Sequence, residues 1–485
     1  MLRIITALLT IFLSVSAYAD AIQARLYTYA SEYSQTRTVS ELSFRYAAEL
    51  AVRSSRELSE IKHERDEEAQ QIDRALSGLM PVIRATASRN NLDRDRPDYR
   101  EKAAQENLNA KIKLRQILFS DSILASRDSA EYKTTMHRLI AESVRLDVIK
   151  ETADVYYTRI FYTGLEQTAE KALKRMNSIK DILKKNKAPK SSMKLYADEI
   201  RRVENLLTLS RSEKIKAQDR LSAMTGLTIG AGCAFRNYSE MTGHATLNTL
   251  KKIFSTVTDT LEREKLLKFL TDKSLDDSAE LKAVDELIKL NKRDIQAEKR
   301  KFSLPDVSFS GEYTQYLDKD SDTSEYSADL SKNDWSVNLR LSMPVFDGKK
   351  STPNIYAKNT ELLQYFSKRA EVKEAVKTRM ENAVISAGYA GTALSGSKEL
   401  AASAAEKYDK NLSLYKLKKI RSAVLINSAA ALNTAQEAVV RAEYEMINSL
   451  TDIQRAYGKF FALNEDYEDT RFLLDLQQSI GSQMP

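Results

Sequence analysis

Residues 304–348 read LPDVSFSGEYTQYLDKDSDTSEYSADLSKNDWSVNLRLSMPVFDG. Val307, Phe309 and Tyr313 alternate with Ser308, Ser310, Glu312 and Thr314. Trp335, Val337, Leu339 and Leu341 then alternate with Ser336, Asn338, Arg340 and Ser342. A period of two puts each set on one face of a strand. The spacing predicts strands over about 304–316 and 334–347, joined by a polar, acidic loop. One face of this hairpin is apolar and the other is polar and charged. The chain on either side reads as long helix.

A weaker copy lies at 79–119. Pro81 opens a run in which Ile83, Ala85 and Ala87 alternate with Arg84, Thr86 and Ser88. After a polar loop, Leu108, Ala110, Ile112 and Leu114 alternate with Asn109, Lys111, Lys113 and Arg115, which predicts strands over about 81–90 and 105–119. Pro81 and Pro305 lie 224 residues apart, and Phe119 and Phe346 lie 227 apart. A shared period of this length reads as an internal duplication. The 485 residues then form two similar halves rather than three unrelated domains.

Prolines punctuate this plan. Only 7 occur, and none falls in 98–188, 190–304 or 354–484, which suits long helices. Residues 20–78 read as helix broken near Thr38-Val39-Ser40, with one helical piece from Glu41 to Leu76. A helix from about Ser122 to Lys185 carries the heptad Leu165, Ala169, Ala172, Met176, Ile179 and Leu183, a coiled-coil seam. A tip at about 186–191 turns it into a helix returning to Met224. Helices over about 246–272 and 276–301 lead to the second β-hairpin. A second rod, from about Pro353 to Lys418, turns at a tip near 418–423 and returns to about Phe461. The halves are thus 20–225 and 246–461, joined by a glycine-bearing link at 226–245 and followed by a mixed tail, 462–485, expected to be only partly ordered.

The first residues, MLRIITALLTIFLSVSAYADA, carry Arg3, an apolar stretch over 4–15 and Ala17-Tyr18-Ala19. They read as an export signal over 1–19, its apolar stretch being shorter than the ~20 residues of a spanning helix. Mean hydropathy is −0.45, which excludes a helical membrane protein. A closed barrel can still cross a membrane, because it satisfies every backbone group. Four strands cannot close one alone, since the smallest such barrels have about eight. The strands therefore pair elsewhere, or several chains share one barrel.

Other classes are excluded more simply. His63, His137 and His244 have no metal-ligand spacing, and no nucleophile elbow, P-loop or Cys pair occurs. No catalysis, cofactor or metal is expected. The 75 basic and 68 acidic residues interleave to a net +7 with no compact basic-aromatic patch, so no nucleic acid is expected. Cys233, the single cysteine, reads as structurally neutral.

Three motifs and the duplication resemble the TolC-like outer-membrane efflux proteins, over about Val39 to Phe461. Leu304-Pro305-Asp306-Val307-Ser308 is similar to the family's L-P-x-[VL]-S strand opening, with Leu79-Met80-Pro81-Val82 as its first-half partner. Leu341-Ser342-Met343-Pro344-Val345-Phe346-Asp347-Gly348 is similar to L-x-x-P-[LI]-F-[DN]-G, echoed by Gln116-Ile117-Leu118-Phe119-Ser120-Asp121. Leu425-Ile426-Asn427-Ser428-Ala429 follows the second tip as L-x-x-L-[DN]-A does in the family. The resemblance implies a mainly α chain with a small β part. Three copies would form a twelve-stranded β-barrel in the outer membrane, continued across the periplasm by a twelve-helix α-barrel. Its partners would be a periplasmic adaptor and an inner-membrane transporter, and its role the exit duct of an efflux or type I secretion system. The rival reading is a periplasmic coiled-coil scaffold that forms no pore.

In such a barrel Ile83, Leu108, Ile112, Leu114, Val307, Phe309, Trp335, Val337 and Leu339 would meet lipid. Arg84, Lys111, Lys113, Arg115, Glu312 and Arg340 would line the pore as a basic ring, favouring anionic or neutral solutes. Where the family narrows its periplasmic entrance with acidic residues, Val424 and Asn427 stand here, beside Lys418, Lys419 and Arg421. Lys187 and Lys418 take the place of the family's tip glycines. Lys184, Lys185, Lys187, Lys190 and Lys194 cluster at the first tip, as an adaptor-docking surface would require.

Overall fold

The computed structural model describes residues 39–91, 106–230, 232–238, 245–256, 260–320, 333–463 and 472–476. The expected export signal and both β-hairpin loops lie outside the described residues. In chain order the elements are β1 (Glu41–Leu42), α1 (Phe44–Ser54), α2 (Arg56–Ser77), β2 (Val82–Asn91), β3 (Glu106–Phe119), α3 (Asp121–Lys185) and α4 (Lys190–Thr225). There follow β4 (Ala234–Phe235), α5 (Ala245–Thr256), α6 (Thr260–Asp277), α7 (Ala279–Arg300), β5 (Asp306–Asp320), β6 (Asn333–Ser342), α8 (Ser351–Lys416) and α9 (Ser422–Tyr457).

The two halves match in length. The helices α2 and α7 have 22 residues each, α3 and α8 have 65 and 66, and α4 and α9 have 36 each. Both α2 and α7 begin with Ser-x-Glu-Leu. The hydroxyls of Ser55 and Ser278 accept from the backbone N–H of Leu58 and Leu281 at 3.3 and 3.2 Å, satisfying donors that a helix start leaves orphaned. The rods α3 and α8 are each roughly 100 Å long. The heptad residues Leu165 to Leu183 are no more than 1% exposed, seating α3 against the returning helices as a coiled coil.

β2, β3, β5 and β6 form one antiparallel sheet in that order, so β3 and β5 join the halves while β2 and β6 are its edges. The main core lies partway along the rods, where Phe44, Tyr156, Tyr157, Leu250, Leu270, Met380 and Met446 converge. At this level β1 pairs in parallel with β4. Tyr156 Oη donates to the carbonyls of Leu42 and Arg236 at 2.9 and 3.0 Å, tying the entering chain to the inter-half link.

At the junction of the halves, α7 lies between α3 and α8. Glu280 is its polar centre. It accepts from Arg379 of α8 at 2.9 and 3.2 Å, from Arg455 of α9 at 2.8 Å and from Ser143 of α3 at 3.0 Å. Arg455 also reaches Asp147. Burial pushes the Glu280 pKa up, but the hydrogen bonds and charges of Arg379 and Arg455 outweigh it and hold the carboxyl at about 2. Nearer the sheet, Arg293 bridges Asp121 and Asp128 at 3.0 and 2.8 Å.

Several boundaries differ from the sequence reading. The piece from Glu41 to Leu76 is not one helix: its first residues form β1, and Ser55 interrupts the rest as a C-cap and an N-cap at once. The break expected near 273–275 falls at Ser278. The last strand ends at Ser342 rather than 347, because Pro344 has no N–H to continue a ladder. Val345 and Phe346 stand exposed beyond it, and Asp347 accepts from the N–H of Ser351 at 2.8 Å to start α8. Part of the tail is anchored: Phe472 and Leu476 are buried in the main core.

Candidate functional site

The sheet register sorts its side chains into two faces. Arg84 pairs with Lys113, Thr86 with Lys111 and Val82 with Arg115. Lys113 pairs with Glu312, Arg115 with Ser310 and Ile117 with Ser308. Ser308 pairs with Arg340, and Glu312 with Ser336. Directly paired residues share a face, so Arg84, Lys111, Lys113, Arg115, Glu312 and Arg340 all lie on one side. Ile83, Ile112, Tyr313, Trp335, Val337, Leu339 and Leu341 lie on the other. That apolar face is open in the single chain, Ile83 and Trp335 each being 71% exposed.

The polar face holds more than the sequence pattern singled out. Asp306 and Asp334 share it through their pairing with Ser342 and Thr314, so it is less one-sidedly basic than the six expected residues alone. Val82 and Ile117 also sit on it. Glu312 is held between Lys111 at 2.7 Å and Lys113 at 3.7 Å. Among the described residues, no carboxylate pairs with Arg84, Arg115 or Arg340.

The helix tips lie together at the other end. Ser422 Oγ donates to Ser192 Oγ at 2.7 Å, and Met176, Ile179, Leu183, Tyr196, Leu425 and Ile426 share one buried cluster. Lys184, Lys185, Lys187, Lys190 and Lys194 surround the first tip, and Lys418, Lys419 and Arg421 the second. No Asp or Glu occurs between Asp181 and Asp198, or between Asp409 and Glu437. Lys187 and Lys418 adopt φ of 50° and 57°. Each is the left-handed residue of a Schellman closure. Ala188 N–H bonds Leu183 O at 3.0 Å, and Lys419 N–H bonds Leu414 O at 2.9 Å. Gly458 closes α9 in the same way with φ 88°. Lysine thus occupies a conformation that suits glycine, and that costs other residues about 1–2 kcal/mol. Val424 and Asn427 share the exposed side of the first turns of α9 with Ala431 and Thr434, while Leu425 and Ile426 turn inward.

Above the tips, a polar network crosses the four rods, which the sequence reading did not find. Arg202 grips Glu199 at 3.0 Å and Glu437 at 2.9 Å. Asn433, fully buried, donates to Glu199 at 2.8 Å and accepts from Arg175, whose guanidinium lies over Tyr408. Each member is one charged or polar residue in a charged helix, and only the contacts distinguish it.

No helix among the described residues is long and apolar enough to cross a membrane, and no group of side chains there could hold a metal ion. No family model and no curated relative matches the sequence. Solved structures do match the fold. CusC, described for the conformational changes of its folding and transmembrane channel formation, superposes with a TM-score of 0.66 at 12% identity, over 88% of this chain and 96% of that one. The open state of the Neisseria gonorrhoeae MtrE outer membrane channel gives 0.65 at 13% identity, over 87% and 89%. The outer membrane protein VceC of Vibrio cholerae gives 0.64 at 12%, over 86% and 96%.

Proposed function

Starting from a fold shared with the TolC-like outer-membrane efflux channels, we propose that this chain is the outer-membrane channel-tunnel of a tripartite efflux or type I secretion system. It is a passive duct, spanning the outer membrane as a barrel and extending through the periplasm as a helical tunnel. An inner-membrane transporter drives export, reached through a periplasmic adaptor.

The observation that carries this reading is the sheet: four strands, an exposed apolar face, a charged face and two free edges, mounted on rods too long for a compact domain. The junction of the halves supplies the rule of assembly. Within the chain β5 pairs with β3, and α7 fits against α3. Repeating that step pairs β2 of the next chain with β6, and lays its α2 against α8, covering the exposed Tyr356, Leu363 and Phe366. Such a head-to-tail interface closes into a ring when its rotation permits. Three chains give the even count of twelve strands and twelve rod helices. Arg84, Lys111, Lys113, Arg115, Glu312 and Arg340 then face the lumen, and Val424 and Asn427 narrow the periplasmic end.

Reconstitution of the detergent-extracted protein into a planar bilayer tests the proposal, and discrete conductance steps from a trimer are the expected result. Extraction as a water-soluble monomer that never inserts would overturn it and favour a periplasmic scaffold.

The basic tips, with Lys187, Lys190, Lys418, Lys419 and Arg421, suit an acidic face on the adaptor. Lysine at the two left-handed positions is then retained for docking rather than for stability. Lys187→Gly and Lys418→Gly are each expected to stabilise the folded chain by roughly 0.5–1 kcal/mol, read as a raised urea midpoint. No gain at either position would show that the tip backbone imposes no strain on lysine.

A further inference from the structure

The register of the sheet points to the class of cargo. It divides the polar face into hydrogen-bonded rows. Below the row of Ser88, Asn109 and Tyr316, the residues Thr86, Lys111, Thr314 and Asp334 form a row whose charges cancel. The next row towards the rods holds Arg84, Lys113, Glu312 and Ser336. Below it come Val82, Arg115, Ser310 and Asn338, then Ile117, Ser308 and Arg340. These three lower rows carry Arg84, Lys113, Arg115 and Arg340 against Glu312 alone, a surplus of three positive charges per chain. Asp306 lies at the strand end beyond them, paired with Ser342.

The surplus is not neutralised locally. Glu312 is already occupied by Lys111 and Lys113. Arg84 and Arg115 instead line a concavity of about 440 Å³ at the foot of the sheet, with Lys113, Val82, Ile117, Met80 and Gly78. Two unpaired guanidiniums beside an ammonium, over an apolar floor, suit a planar anionic group with an apolar body. At the far end of the molecule the exposed side of α9 presents Val424, Asn427, Ala431 and Thr434, with no carboxylate.

We propose that this belt is an anion-binding zone, and that the cargo of the duct is anionic: organic acids bearing carboxylate, sulfonate or phosphate groups on an apolar frame. The proposal rests on the channel reading above. A cleft of one sign raises the local concentration of oppositely charged solute, by about tenfold or more. An anion arriving from below would be drawn into the barrel and released past the charge-balanced row above the belt.

The test uses the full-length trimer in detergent and in bilayers. Anisotropy of a trisulfonated pyrene dye, which can enter from the outer mouth whatever the state of the tips, should report binding. The triple variant Arg84→Gln, Arg115→Gln, Arg340→Gln should weaken it about tenfold, and a tetracationic porphyrin should not bind the wild type. Reversal potentials in a potassium chloride gradient should favour chloride, and shift toward potassium in the triple variant. A trimer that inserts and conducts but prefers potassium, or that binds no sulfonated dye, overturns the anion proposal and leaves the channel reading intact. A chain that neither assembles nor inserts overturns the channel reading itself. Arg84→Lys, which keeps the charge, should retain dye binding and so separates lost charge from misfolding.

Discussion

Replacing Glu280 with alanine is expected to destabilise the chain by about 2–3 kcal/mol, because it takes a shared acceptor from the nearly buried Arg455 and leaves that guanidinium with Asp147 as its carboxylate partner. Arg455 is the reason. Its side chain is only 11% exposed, and Glu280 is its contact with α7. The same substitution releases Arg379 and Ser143, so four helices lose one shared acceptor. Urea unfolding would measure it, and a loss below about 1 kcal/mol would show that the node is incidental. The pH dependence follows from the depressed pKa. A carboxyl held at about 2 in the fold contributes stability that is complete above its unfolded value of about 4.5. That contribution fades as pH falls through this window toward 2, and amounts to about 3 kcal/mol. Glu280→Gln should remove this acid-sensitive part. Glu57, its counterpart in the first half, is exposed and has no ion-pair partner among the described residues. Glu57→Ala should therefore change the single chain by no more than about 0.5 kcal/mol.

The second large effect concerns the faces of the sheet. Val337→Arg places a charge on the apolar face of β6, while Asn338→Arg, one residue along, places it on the polar face. If the apolar face meets lipid, the first costs about 2–4 kcal/mol per chain near the bilayer midplane, and three times that in a trimer. Val337→Arg should abolish recovery from the outer-membrane fraction, and Asn338→Arg should leave it near normal. Equal tolerance of the two would contradict a lipid-facing role for that side, and equal loss would point to a sheet buried on both sides.

Much of this architecture was legible because its signals are periodic. Alternation over about 81–90, 105–119, 304–316 and 334–347 pointed to the strands, which lie at 82–91, 106–119, 306–320 and 333–342, and the heptad at 165–183 identified a seam that proved fully buried. Prolines and glycines marked the turns. What stayed hidden depends on distance rather than pattern. The two-residue β1 is too short to alternate, and its partner lies nearly 200 residues away. Glu280 looked like one more acid on a charged helix, although the shared Ser-x-Glu-Leu at 55–58 and 278–281 offered a hint. Asp334 stands one residue before Trp335, where the apolar alternation begins, so the pattern alone does not place it on the charged face that its pairing with Thr314 assigns. The network around Arg202 and Asn433 has no spacing signature at all.

The open edges of β2 and β6 also bear on how such a molecule is made. Among the described residues the single chain carries two sheet edges with unpaired backbone groups beside an exposed apolar surface that includes Trp335, Leu339 and Ile83, the combination that invites indiscriminate strand pairing. The separate chain is therefore a hazardous intermediate, and its lifetime matters as much as its stability. Refolding in dilute solution should stall at a sticky monomer. Higher concentration should bring productive assembly and aggregation into direct competition, so that yield passes through a maximum. For the assembly proposed above, this favours an escort in the cell that masks the edges until a ring can close.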